Sequence, residues 1–79
     1  MRLDKYLKVS RLIKRRTVAA EAANGGHITV NGKVAKPSTD VKVGDRLILS
    51  FGQHRTEVEV LSVQETVRKD DAGGMYREI

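Results

Sequence analysis

Cysteine and tryptophan are absent from this 79-residue sequence, proline occurs once, and aromatic residues make up only 4% of it. Without cysteine there is no disulfide framework, no zinc–thiolate site and no thiol nucleophile. The two histidines, His27 and His54, lie far apart, and neither has a second histidine or a carboxylate pair at ligand spacing. Neither a metal nor a cofactor is therefore expected. No run of 18 apolar residues exists, which excludes a membrane-spanning helix, and no apolar stretch has the length of a secretory signal. A chain of this size folds as one domain that buries about 60% of its unfolded surface, with no room for a deep catalytic cavity beside the core. No serine, histidine and acid stand at motif spacing, and no P-loop or Rossmann glycine pattern is present. The chain is not expected to be an enzyme.

What the sequence does have is a concentration of positive charge. The net charge is +5. Residues 1–16 carry Arg2, Lys5, Lys8, Arg11, Lys14, Arg15 and Arg16 against the single acid Asp4, while residues 17–79 hold eight bases and nine acids. The cationic excess thus sits in the first fifth of the chain, which points to a polyanionic partner. An amphipathic membrane or transit helix is one way to use such a segment. On a continuous helix, however, Lys14 falls inside the apolar arc of Leu3, Tyr6 and Leu7, and Leu12 falls on the basic side. A short helix over residues 3–9 that breaks near Ser10 fits better, and no membrane partner is expected.

A second helix follows. Thr17 can cap it, and Val18/Ala22 with Ala19/Ala23 make a face of small apolar residues. Asn24-Gly25-Gly26 ends it, since glycine accepts the left-handed conformation. Strands then take over. Ile28-Thr29-Val30 and Lys33-Val34-Ala35 flank Asn31-Gly32, a strong hairpin signal. Lys36-Pro37-Ser38-Thr39-Asp40 is turn chemistry, and Val41 and Val43 lead to a turn at Gly44-Asp45. Arg46–Phe51 and Thr56–Val63 alternate as strands, with His54 in the loop between them and a phase shift at Leu61 suggesting a bulge or strand end. Beyond residue 65 the sequence is polar and reads as a mobile tail, in which Met75-Tyr76 could dock on another element. The expected architecture is α+β, two short N-terminal helices packed on a small antiparallel sheet, with a domain at 1–65 and a flexible C-terminal tail at 66–79.

The basic cluster is the candidate site. Lysines and arginines that pair with phosphates release counterions, and arginine adds a planar fork for bidentate contact. The plain alternative for a charge run is a solvated face. Seven cations against one acid within sixteen residues repel one another, and a bound polyanion relieves that repulsion. A helix-turn-helix DNA reader presents polar side chains on its second helix, whereas Val-Ala-Ala-Glu-Ala-Ala offers almost nothing to a base edge. Recognition of structured RNA through its backbone fits better.

Arg2-Leu3-Asp4-Lys5-Tyr6-Leu7, Lys14-Arg15-Arg16, Gly25-Gly26-His27-Ile28, Val30-Asn31-Gly32, Lys36-Pro37-Ser38 and Val43-Gly44-Asp45 occur in that order. Over about residues 1–50 this series resembles the S4 RNA-binding domain, and within it the ribosome-associated heat-shock subgroup. The short end with Met75-Tyr76 and the run from Lys8 to Arg16 are most similar to the members that serve ribosome-associated quality control. The resemblance implies the S4 (αL) fold, with RNA held by the helical basic face. It implies that Arg2 and Arg16, which match the most characteristic motif arginines, contact RNA phosphate, and that Lys5, Lys8, Arg11, Lys14 and Arg15 complete the face. Asp4 would orient a nearby arginine. Lys33 and Lys36 are weaker candidates, since a solvated hairpin edge explains them equally well. Many S4 domains have serine or threonine where Arg15 stands, a departure that leaves Thr17 as the cap.

The implied partners are large-subunit ribosomal RNA, peptidyl-tRNA and a factor that recruits alanyl-tRNA to the same subunit. The implied role is to assist untemplated C-terminal alanine tailing on obstructed large subunits, in the cytoplasm and as a monomer. Heat-shock-type rescue of free large subunits, whose longer members carry a basic extension, and general binding of structured RNA are the alternatives. An auxiliary domain of an RNA-modifying enzyme would need an attached catalytic domain.

Overall fold

The computed structural model describes residues 1–64 and 74–79. Helix α1 (Leu3–Val9) and helix α2 (Arg16–Asn24) precede five strands: β1 (Ile28–Val30), β2 (Lys33–Val34), β3 (Arg46–Phe51), β4 (His54–Val60) and β5 (Tyr76–Glu78). The strands form one antiparallel sheet in the order β2-β1-β3-β4-β5. Alternation along β3 and β4 places Leu47, Leu49, Val58 and Val60 on one face, where they are buried with Leu3, Tyr6, Leu7, Ala19, Ala22, Ala23 and Ile28. Helices and sheet are therefore two layers around one core. Among the described residues, no helix is long and apolar enough to cross a membrane.

The break between the helices falls where the charge pattern requires it. Ser10 ends α1, its backbone N–H bonding to the Tyr6 and Lys8 carbonyls, and Ser10 itself is buried. Arg11 follows with φ 65°, in the left-handed region. Leu12 and Ile13 then pack against the core instead of extending the helix. At the other end, α1 has no side-chain cap; its first amides are met from across the fold. Leu3 N–H donates to the Thr39 carbonyl at 2.8 Å and Asp4 N–H to the Pro37 carbonyl at 3.1 Å. The Lys36–Thr39 turn is thus the anchor for the start of α1.

The motif Asn31-Gly32 makes the expected tight hairpin, with φ 52° and 85° at its two residues. Asn31 also bonds to Asp45 at 3.0 Å and accepts from the Arg46 amide at 2.9 Å. Asp45 in turn accepts from the Lys42 amide. The Asn-Gly and Gly-Asp motif segments thereby hold each other, which assigns them to the scaffold.

Several expectations are corrected. Thr17 does not cap α2: the N-cap is Arg15, which makes no side-chain capping bond. Val18 is 44% exposed, so the small apolar face is Ala19, Ala22 and Ala23. His54 belongs to β4, opposite Phe51, because the hairpin closes over Gly52-Gln53 alone. β4 ends at Val60, so the phase shift marks a strand end. Ala35 leaves β2 to be buried. The largest correction concerns the C-terminal tail. Tyr76–Glu78 pair with Val58–Val60 as a fifth strand, and Met75 is buried at 1% exposure. The buried Tyr6 hydroxyl donates to the Met75 carbonyl at 2.7 Å, and burial pushes the Tyr6 phenol well above its usual range. An apolar pair of only two residues carries too little periodicity to reveal a strand. Residues 66–73 of the expected tail lie outside the described residues.

Candidate RNA-binding face

Asp4 lies in the first turn of α1, where the helix dipole favours an acid, and the residue is only 5% exposed. A buried carboxylate needs partners, and Asp4 has them on every side. Arg2 donates through Nε to Oδ1 at 3.2 Å and through Nη2 to Oδ2 at 3.3 Å. Arg16, at the start of α2, approaches Oδ2 with Nε at 3.4 Å and Oδ1 with Nη2 at 3.5 Å. The Lys5 amide donates to Oδ1 at 2.8 Å. Burial works against the ionised carboxyl, but the hydrogen bonds from Arg2, Arg16 and the Lys5 amide, with the Arg16 charge, outweigh it and hold Asp4 below the usual carboxylate range.

The consequence is a pair of guanidiniums fixed side by side by one anion. Their side chains remain 55% and 48% exposed, so each keeps N–H groups directed to solvent. One carboxylate against two guanidiniums leaves a net positive charge on the cluster. Paired, pre-oriented guanidiniums suit the bidentate geometry of a phosphate. The resemblance implies one arginine for Asp4; the fold gives it two, Arg2 from the N-cap of α1 and Arg16 from the first turn of α2. The motif Arg-x-Asp signals the first of these, whereas the second depends on how α1 and α2 pack.

The other cations are placed around this pair to differing degrees. Lys8, Arg11, Lys14 and Arg15 are exposed along the end of α1, the connection and the entry to α2. Lys8 also sits in the last turn of α1, where a cation stabilises the helix dipole without any ligand. Lys5 is half-buried. α2 begins with no side-chain cap and no acid in its first turn, so its positive end adds to the same field. Lys36 is exposed on the turn that anchors α1, which attaches it to the Arg2 end of the cluster. Lys33 is instead on the edge strand β2, where an exposed lysine also discourages edge-to-edge pairing.

Residues 1–47 match the S4 domain, a span that holds both helices and the whole cluster. The chain belongs to the S4 domain family. A protein of Halalkalibacterium halodurans named RQC P-site tRNA stabilizing factor is 60% identical over 76 residues, which cover 96% of this chain and 86% of that one. A protein of the same name from Streptococcus pneumoniae is 58% identical over 76 residues, with the same coverage of both chains. Among solved structures, the trimeric structure of Vibrio cholerae heat shock protein 15 superposes with a TM-score of 0.92 at 32% identity, covering 100% of this chain and 81% of that one. The S4 domain match fixes which segments are shared, and the fifth strand lies beyond it. In this S4 domain, then, the arginine pair is built within the matched span, while Leu49, Val58, Val60 and Met75 complete the core from outside it.

Proposed function

We propose that this chain is a non-catalytic RNA-binding factor of ribosome-associated quality control. It binds obstructed large ribosomal subunits through ribosomal RNA and peptidyl-tRNA, and holds the peptidyl-tRNA in place while a partner that recruits alanyl-tRNA extends the nascent chain. The observation that carries the reading is the Asp4-anchored pair of Arg2 and Arg16. It is a phosphate clamp preassembled from the two ends of a segment with seven cations and one acid. Preorganisation matters because guanidiniums already ordered lose less freedom on binding. Arg11, Lys14 and Arg15 extend the contact along the backbone, with Lys5, Lys8 and Lys36 at its margins and Lys33 least engaged. Relatives named for stabilising P-site tRNA support tRNA as one ligand. The chain's own contribution is binding energy and geometry, exerted in the cytoplasm as a monomer.

Co-sedimentation with purified large subunits, with and without bound peptidyl-tRNA and at two salt concentrations, tests the reading. Binding that strengthens with peptidyl-tRNA and weakens with salt is expected. Binding indifferent to tRNA favours the second reading, heat-shock-type rescue of large subunits, which the likeness to the Vibrio cholerae structure supports. Absence of binding at low salt refutes both.

A further inference from the structure

Two exposed rings stand stacked at the opposite end of α2 from the arginine clamp. The centroids of His27 and Phe51 are 5.5 Å apart and their planes 21° apart, and Phe51 is still 40% exposed. The His27 ring is nevertheless held from three directions. Its Nδ1 bonds to the Ser50 carbonyl at 3.0 Å, and since a carbonyl only accepts, Nδ1 carries the proton. Phe51 covers one face. On a further side is Gly25, where a Cβ would come within 2.9 Å of the ring. Gly25 has φ −78°, open to any residue, so the helix end does not require glycine there; the left-handed position is Gly26. A side chain at 25 would crowd the ring and, at 3.3 Å, the Glu21 carbonyl, so glycine leaves the ring its place.

Phe51 pairs across the hairpin with His54, and Ser50 with Arg55. Neither residues 24–28 nor residues 50–56 include an acid. On the same sheet Arg46 pairs with Glu57 and Arg77 with Glu59, whereas Arg55, on the face opposite Phe51 and His54, has no ion-pair partner among the described residues. An ordered aromatic surface left in water, with His54 directly across the hairpin from Phe51, suits the π-face of an unstacked nucleobase.

We infer that the His27–Phe51 stack is a nucleobase platform, which receives an unpaired base of the RNA whose phosphates engage the Arg2–Arg16 clamp. The inference rests on the RNA-binding reading and adds to it a second contact, separated from the clamp by the length of α2, about 13 Å at 1.5 Å per residue. It also makes the interaction partly independent of salt, because stacking releases no counterions.

The chain has no tryptophan, so Phe51→Trp places a single tryptophan on the platform, excited selectively over Tyr6 and Tyr76. Titrating this full-length variant with deproteinised large-subunit ribosomal RNA is expected to quench its fluorescence. In parallel, Phe51→Ala is expected to weaken RNA binding about tenfold to a hundredfold with an unchanged salt slope. Arg16→Ala should flatten the slope instead. Wild-type affinity in Phe51→Ala, or RNA binding without quenching in Phe51→Trp, overturns the platform and leaves the clamp standing. If the wild-type chain shows no salt-dependent RNA binding at all, both readings fail together. A thermal melt shows whether Phe51→Ala folds; if it does not, the quenching experiment decides.

Discussion

Replacing Arg11 by glycine should move stability and RNA affinity in opposite directions. Arg11 occupies the residue after the Ser10 C-cap with φ 65°, and its amide bonds back to the Lys8 carbonyl at 3.1 Å. This position favours glycine, because a side chain in the left-handed region costs roughly 1–2 kcal/mol. Glycine returns that strain but gives up about 0.5–1 kcal/mol through the greater freedom of the unfolded chain. The net gain is about 0.5–1 kcal/mol, or roughly 2–8 °C in Tm for a domain of this size. Arg11→Ala serves as the control, since it removes the same charge but keeps the strained backbone. Glycine should therefore melt above alanine, while both lose the same RNA contact. That loss should be about tenfold at low salt, close to 1.4 kcal/mol, with the log–log salt slope flattened by about 0.7–0.9. Thermal melts and salt-dependent filter binding on the three proteins decide the matter. If glycine is no more stable than alanine, the strain argument is wrong. If both variants bind with the wild-type slope, Arg11 does not neutralise a phosphate.

Three further outcomes are expected. Arg16→Ala should leave unfolding cooperative while weakening large-subunit association, measured by co-sedimentation beside a thermal melt; an unchanged affinity with a collapsed transition would make Arg16 structural instead. Asp4 has a depressed folded pKa, so the stability it contributes is complete above its unfolded pKa of about 3.9 and is lost as the pH falls through the lower folded value. Urea melts between pH 7 and pH 2 should accordingly show a steeper acid loss in the wild type than in Asp4→Asn, which should also bind RNA more weakly; equal acid slopes would contradict the assignment. For Tyr6→Phe, a loss of about 0.5–1.5 kcal/mol is expected by calorimetry, at the lower end because the Met75 carbonyl keeps bonds from Leu61 and Ser62. The folded phenol resists ionisation, so wild-type stability should decline as the pH rises above about 10 while the phenylalanine variant holds.

The features that sequence reading identified are those carried by short-range chemistry. Helix α1, its break at Ser10 and the Asn31-Gly32 hairpin follow from periodicity and turn preference within a few residues. The charge count alone located the basic segment, because charge is additive and needs no fold to be seen. Even the errors are informative: Thr17 and Val18 are plausible cap and core residues locally, and only the packing of α2 moves them outward. Three decisive contacts are different in kind. Asp4 reaches Arg16 across 12 residues, Tyr6 fastens Met75 across 69, and His27 is locked to Ser50 across 23. None has a local pattern, since each arises where separate elements converge to bury a common core. The sequence by itself determined that this chain is a small α+β domain with a cationic end; the tertiary structure decided which cations become a fixed pair, because a buried carboxylate must find its partners wherever the fold brings them.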